Sequence, residues 1–162
     1  FDYNINSHVM KQLLLILFFC PFLIYSQDNL SFYDIKQIDS KQMFLKVVLE
    51  NGFQKEGSND WRTSYGYNLT KKDDGNEASI WAYYYTPENS FRFSFYKTNS
   101  QSSRVFERII NRIQSECIFK EVDEYNSYDV IYYSCPGSKY EGLIGYYEND
   151  DWKTLRTKLA TN

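Results

Sequence analysis

SIWAYYYTPENSFRFSFYK, residues 79–97, is the stretch whose reading decides the fold. Two aromatic-rich runs flank Thr86-Pro87-Glu88-Asn89-Ser90, the composition of half-buried strands around a turn. Pro87 pre-sets the backbone of the first loop position and Asn89 tolerates the left-handed conformation, which predicts a three-residue loop closed by a bulge. That register pairs Tyr85 with Phe91, Tyr83 with Phe93 and Trp81 with Phe95. Six aromatics then share the core face, and Ala82, Tyr84, Arg92, Ser94 and Tyr96 take the other. A slip of one residue exchanges the two sets.

Working outward, residues 34–51 carry a helical pattern after a polar lead-in over 27–33. Asp39 or Ser40 caps it, Met43-Phe44 and Val47-Val48 recur on one face, and Gly52 stops it. A short extended piece follows at 53–56. Tyr65, Tyr67 and Leu69 then alternate with Ser64, Gly66 and Asn68 as a strand, joined to the central hairpin by a charged Asp74-Gly75 turn. Downstream, Ser102-Ser103 caps a second helix from Arg104 to about Cys117, its buried stripe formed by Val105, Phe106, Ile109, Ile110 and Ile113. Residues 118–125 and 128–134 fold as a hairpin about Asn126-Ser127, pairing Val122 with Ile131. A further strand covers 140–148. Residues 150–159 fit either a short helix or a last edge strand.

The two halves resemble each other. Met43-Phe44 matches Val105-Phe106, Phe53 matches Phe119, Tyr65 matches Tyr128 and Ile80-Trp81 matches Leu143-Ile144, at offsets of 62 to 66 residues. The expected fold is therefore α+β and two-layered: a single antiparallel sheet with two helices packed on one face, built from a duplicated α-β-β-β(-β) unit with half-repeats of about 34–98 and 100–160.

Met10-Lys11-Gln12, the apolar run 13–25 and Ser26 have the layout of a secretory signal peptide over residues 10–26. That run is shorter than the ~20 apolar residues a membrane-spanning helix needs. Residues 1–9 precede Met10 and read as upstream translated sequence, leaving 27–162 as a single domain. A secreted or periplasmic location follows, as for a bacterial export, with no stable membrane span after cleavage. The formal net charge of −3 argues against a nucleic-acid partner, which would demand a basic face.

His8 is the chain's one histidine and lies before Met10. The exported chain then lacks Ser-His and Cys-His nucleophile activation and His-ligated metal. With no phosphate loop or nucleophile elbow, the chain is expected to be non-enzymatic, with no cofactor and no metal. Asp73-Asp74-Gly75-Asn76-Glu77 lacks the oxygen spacing of a calcium loop. Cys117 and Cys135 fall within about one residue of opposite positions across the 118–134 hairpin, which predicts a disulfide in an oxidising compartment.

Helices on one face leave the other face open. Tyr84, Arg92 and Tyr96 from the central hairpin, with Tyr147 from its counterpart, are the expected binding residues there, because tyrosine and arginine make contacts at low entropic cost. The function expected is a small exported binding domain that recognises a protein partner in the cell envelope, in the manner of an inhibitor or immunity protein. The alternatives are a carbohydrate-binding or carbohydrate-acting envelope domain using Trp61 and Trp152, and a structural envelope protein without ligand. For the two tryptophans, plugging the ends of the core is the simpler expectation.

Overall fold

The computed structural model describes residues 30–140 and 142–159. The proposed signal segment 10–26 and the residues before it lie outside that range. Ser31 opens α1 (Phe32–Lys36) with a reciprocal capping box to Asp34. Phe32 and Ile35 are buried, so the end of the expected polar lead-in belongs to the core, and the helical pattern expected over 34–51 is divided between two helices. Ser40 caps α2 (Lys41–Glu50) by accepting from the Met43 N–H. Gly52, at φ +77°, ends it by letting Gly52 and Phe53 donate back to Leu49 and Val48.

A four-strand meander follows: β1 (Gln54–Ser58), β2 (Arg62–Tyr67), β3 (Ile80–Tyr85) and β4 (Ser90–Tyr96). Then come α3 (Ser100–Glu116) and a second meander of β5 (Ile118–Tyr125), β6 (Tyr128–Ser134), β7 (Gly142–Glu148) and β8 (Trp152–Leu159). All eight strands form one antiparallel sheet in the order β1-β2-β3-β4-β8-β7-β6-β5. The fold is thus α+β with a single antiparallel sheet. Residues 150–159 supply neither a helix nor an edge: β8 lies in the middle, between β4 and β7. Its alternation places Leu155 on one side and Thr154 and Arg156 on the other.

Asn99 caps α3, with its side chain accepting from the Gln101 and Ser102 N–H groups. The helix begins earlier than the Ser102-Ser103 signal implies, because the buried Ser102 hydroxyl bonds the Tyr96 and Asn99 carbonyls from inside the first turn. Phe44 of α2 packs on Phe91 and Phe93, and Phe106 of α3 packs on Phe95, at ring centroid distances of 5.4 to 6.2 Å. These three phenylalanines alternate along β4, so both helices sit on the same side of the sheet. Each is at most 1% exposed, and burial of such a side chain stabilises the fold by about 1.5–3 kcal/mol.

The central hairpin adopts the slipped register. Tyr85 pairs with Ser90, Tyr84 with Phe91, Tyr83 with Arg92 and Ala82 with Phe93. Four residues, 86–89, form the loop, with Asn89 at φ +45° and the Tyr84 hydroxyl bonding its side chain. Ile80, Ala82 and Tyr84 consequently face the helices, while Trp81, Tyr83 and Tyr85 face away. The reason lies in packing: Ala82 and Ile80 leave room for the helix layer, and Tyr84 fills the space beside Phe44, at 5.4 Å.

The second hairpin keeps its expected register, Val122 opposite Ile131, about a turn with Asn126 and Ser127 both at positive φ. A bulge between Phe119 and Glu121 absorbs one residue. That brings Ile118 opposite Ser134 and sets Cys117 beside Cys135, with Cα atoms 4.3 Å apart and sulfurs at bonding distance. No helix among the described residues is long and apolar enough to cross a membrane.

Candidate functional site

The side of the sheet away from the helices carries a row of residues that follows the strand register across seven strands. It reads Ser64, Tyr83, Arg92, Arg156, Gly145, Tyr132 and Glu121. Its chemistry changes along its length. At the β5 end, Lys158 pairs with Glu121 at 2.8 Å and Asp123 at 2.7 Å, so the cation there is more than neutralised. The hydrogen bond and positive charge of Lys158 hold the Asp123 carboxyl below its usual range, and the same contacts raise the Lys158 ammonium. Tyr132 lies flat over Gly145, where an added Cβ would come within 2.5 Å of its ring. Tyr147 stacks on Tyr128 at 5.4 Å and is 8% exposed. This end is a small second core, built of Val130, Tyr132 and Tyr147.

At the other end the cations are not cancelled. Arg62, Arg92 and Arg156 form no ion pair among the described residues. Aromatic rings hold them in place instead. Arg62 and Arg92 each lie 4.9 Å from the Tyr83 ring, on which they converge, and Arg92 is 5.5 Å from Tyr85. Arg156 lies 3.5 Å from the Tyr125 ring. Burial raises the Tyr83 and Tyr85 hydroxyls above their usual range, against the opposing pull of Arg92 and Arg62, so both phenols stay protonated at neutral pH. The result is a surface of flat rings, phenol donors and guanidinium forks. It offers hydrogen-bond donors, planar cations and aromatic faces.

A cleft of about 490 Å³ borders this surface, where Trp81, Tyr96 and Trp152 meet the side chains of Asn68, Asn76 and Asn99. Tyr96 and Trp152 rings are 5.1 Å apart.

Of the residues expected to form the site, Arg92 and Tyr96 point to the open side, with Tyr96 38% exposed. Tyr147 is also on that side but is covered by its neighbours. Tyr84 is not on the open side: it is 4% exposed among the helix-facing aromatics, because the loop is one residue longer than expected and β3 turns over. Tyr83 takes the place expected of it. Trp61 is 70% exposed in the β1–β2 turn and plugs nothing, whereas Trp152 is half-buried against Tyr96. Arg62, Arg156 and Tyr125 were not foreseen. Arg156 could have been found from the alternation of Trp152, Thr154, Arg156 and Lys158 against Lys153, Leu155 and Thr157.

Comparison with protein-family models, curated proteins and solved structures returned no match for this chain.

Proposed function

We propose that this chain is a non-enzymatic binding domain that docks an acidic protein surface onto the open side of its sheet. The observation that carries the reading is the uncancelled cluster Arg62, Arg92 and Arg156 interleaved with Tyr83, Tyr85 and Tyr125, in a chain whose net charge is −3. Arginine and tyrosine are the residues that carry binding energy in protein interfaces, and complementary charge selects and steers the partner. An inhibitor or immunity-type role in the envelope fits a rigid, pre-formed face of this kind. The Cys117–Cys135 pair fits a secreted or periplasmic chain. The mirrored strand order, each meander led by a helix, supports a duplicated unit as its origin.

Capture of partners from envelope extract, followed by affinity measurement with the purified partner, tests this. Tyr83→Ala and Arg92→Gln should abolish capture, and association should slow as salt rises. A partner retained equally by both variants would refute it.

A second reading, carbohydrate binding, is favoured by the cleft between Trp81 and Trp152, which aromatic residues and three asparagines line. Binding on a glycan array, lost on Trp152→Ala and unaffected by Arg92→Gln, would select it.

A further inference from the structure

One spot on the open side is chemically incomplete. Arg92 and Arg156 sit directly opposite each other on β4 and β8. Like charges at such positions work against a sheet. Arg92 Nε and Arg156 Nη1 are also buried without a hydrogen-bond partner, a state that folded proteins avoid. The Tyr83, Tyr85 and Tyr125 rings lie near the two guanidiniums and fix them, but a ring face accepts little from the N–H groups directed along the guanidinium edge.

The strands also part at this point. Their pairing ends at Arg92 and Arg156, and beyond it the Thr157 hydroxyl takes over both backbone groups of Phe91, accepting from its N–H at 2.9 Å and donating to its carbonyl at 3.1 Å. A cavity of about 80 Å³ opens there, bordered by Arg92, Arg156, Tyr85, Tyr125 and Ser90. It has room for a small planar group and not for a ring. Glu88 also borders it, with its Oε2 taken up by the Ser90 hydroxyl at 3.0 Å.

We infer that Arg92 and Arg156 form a receptor for one carboxylate, an Asp or Glu side chain presented by the acidic partner. The inference rests on the proposed protein-binding role of this face and names the group that role would recognise. Two guanidiniums fixed by rings donate to the two oxygens of one carboxylate through the N–H groups that border the cavity, which removes the repulsion between them. Arg62 lies outside the cavity and contributes charge alone.

The test uses the full chain with its arginine side chains isotope-labelled. The Arg92 and Arg156 Nε–Hε signals are followed during titration with a poly-L-glutamate peptide, a poly-L-glutamine peptide and inorganic phosphate. Poly-glutamate should move both signals saturably while poly-glutamine moves neither. Arg92→Gln and Arg156→Gln should each weaken that binding at least about tenfold, Arg92→Lys should fall between, and Arg62→Gln should change it less than about threefold. Equal losses in all three glutamine variants would leave the face cationic but remove the receptor. Phosphate saturating the same signals at lower concentration would overturn the carboxylate. So would Glu88→Gln alone shifting them as far as the peptide does, since Glu88 would then be the natural occupant. Silent Arg92 and Arg156 signals also end the inference, whereas the wider reading of the face is judged separately by loss of the captured partner on Tyr83→Ala.

Discussion

Tyr83 and Tyr84 are neighbours in sequence and opposites in role, and truncating each in turn tests which side of β3 meets the partner. Tyr84 is 4% exposed and packs 5.4 Å from Phe44. Tyr84→Ala empties a site the size of an aromatic ring in the core, a change that costs about 3–5 kcal/mol. Tyr83 is half-buried on the open side, where its removal forfeits contacts with Arg62 and Arg92, each 4.9 Å away. At about 0.5–1 kcal/mol for each exposed cation–π contact, Tyr83→Ala should cost about 1–2 kcal/mol. Urea denaturation followed by tyrosine and tryptophan fluorescence resolves the difference. With a slope of about 2 kcal/mol/M, the two midpoints should stand roughly 1 M apart, Tyr84→Ala the lower. Binding should rank the other way, with Tyr83→Ala folded and unable to hold the partner. If Tyr83→Ala proves as destabilising as Tyr84→Ala, the slipped register is wrong and the face described here does not exist.

Gly145→Ala should destabilise by about 1–3 kcal/mol, because its Cβ would meet the Tyr132 ring at 2.5 Å, and pairing it with Tyr132→Ala in a double-mutant cycle should recover part of the loss. Replacing both Cys117 and Cys135 by serine should lower stability by about 3 kcal/mol, given the 18-residue separation the bond closes, with a matching fall in urea midpoint. The Asp123–Lys158 pair sets a pH window. Asp123 is shifted down, so its contribution is present above the ordinary carboxylate pKa and lost as pH falls below about 4; Lys158 is shifted up, so its contribution is lost as pH rises beyond about 10.5. Melting temperature against pH should therefore flatten at both ends in Lys158→Met, and an unchanged profile would remove the pair from the account.

Local signals in the chain were enough to place the two longer helices and the second hairpin. The stripe from Val105 to Ile113 faces the sheet as its spacing requires, and Asn126-Ser127 holds the two left-handed residues its turn demands. Where a strand is polar on one side, its register can be read. β3 offered no such contrast: Trp81, Tyr83 and Tyr85 are as aromatic as the Tyr84 that replaces them inside. The smaller aliphatic pair Ile80 and Ala82 was the remaining clue, since a helix layer leaves little depth for two more rings. The seam between β4 and β8 had no local signal at all, because partners 56 to 64 residues apart are chosen by assembly of the whole sheet. Arg92 was visible as an outward residue, but its opposition to Arg156 depends entirely on that seam.

The position of β8 has a bearing on how the polypeptide matures. The strand that fills the middle of the sheet is the last of the eight to be synthesised. Until it arrives, a nascent chain holds its first meander with the length of β4 bare, and an unpaired, phenylalanine-rich border is a ready template for pairing with another copy. Deleting part of β8 should thus harm yield far more than the same cut in β1, which is an edge of the sheet.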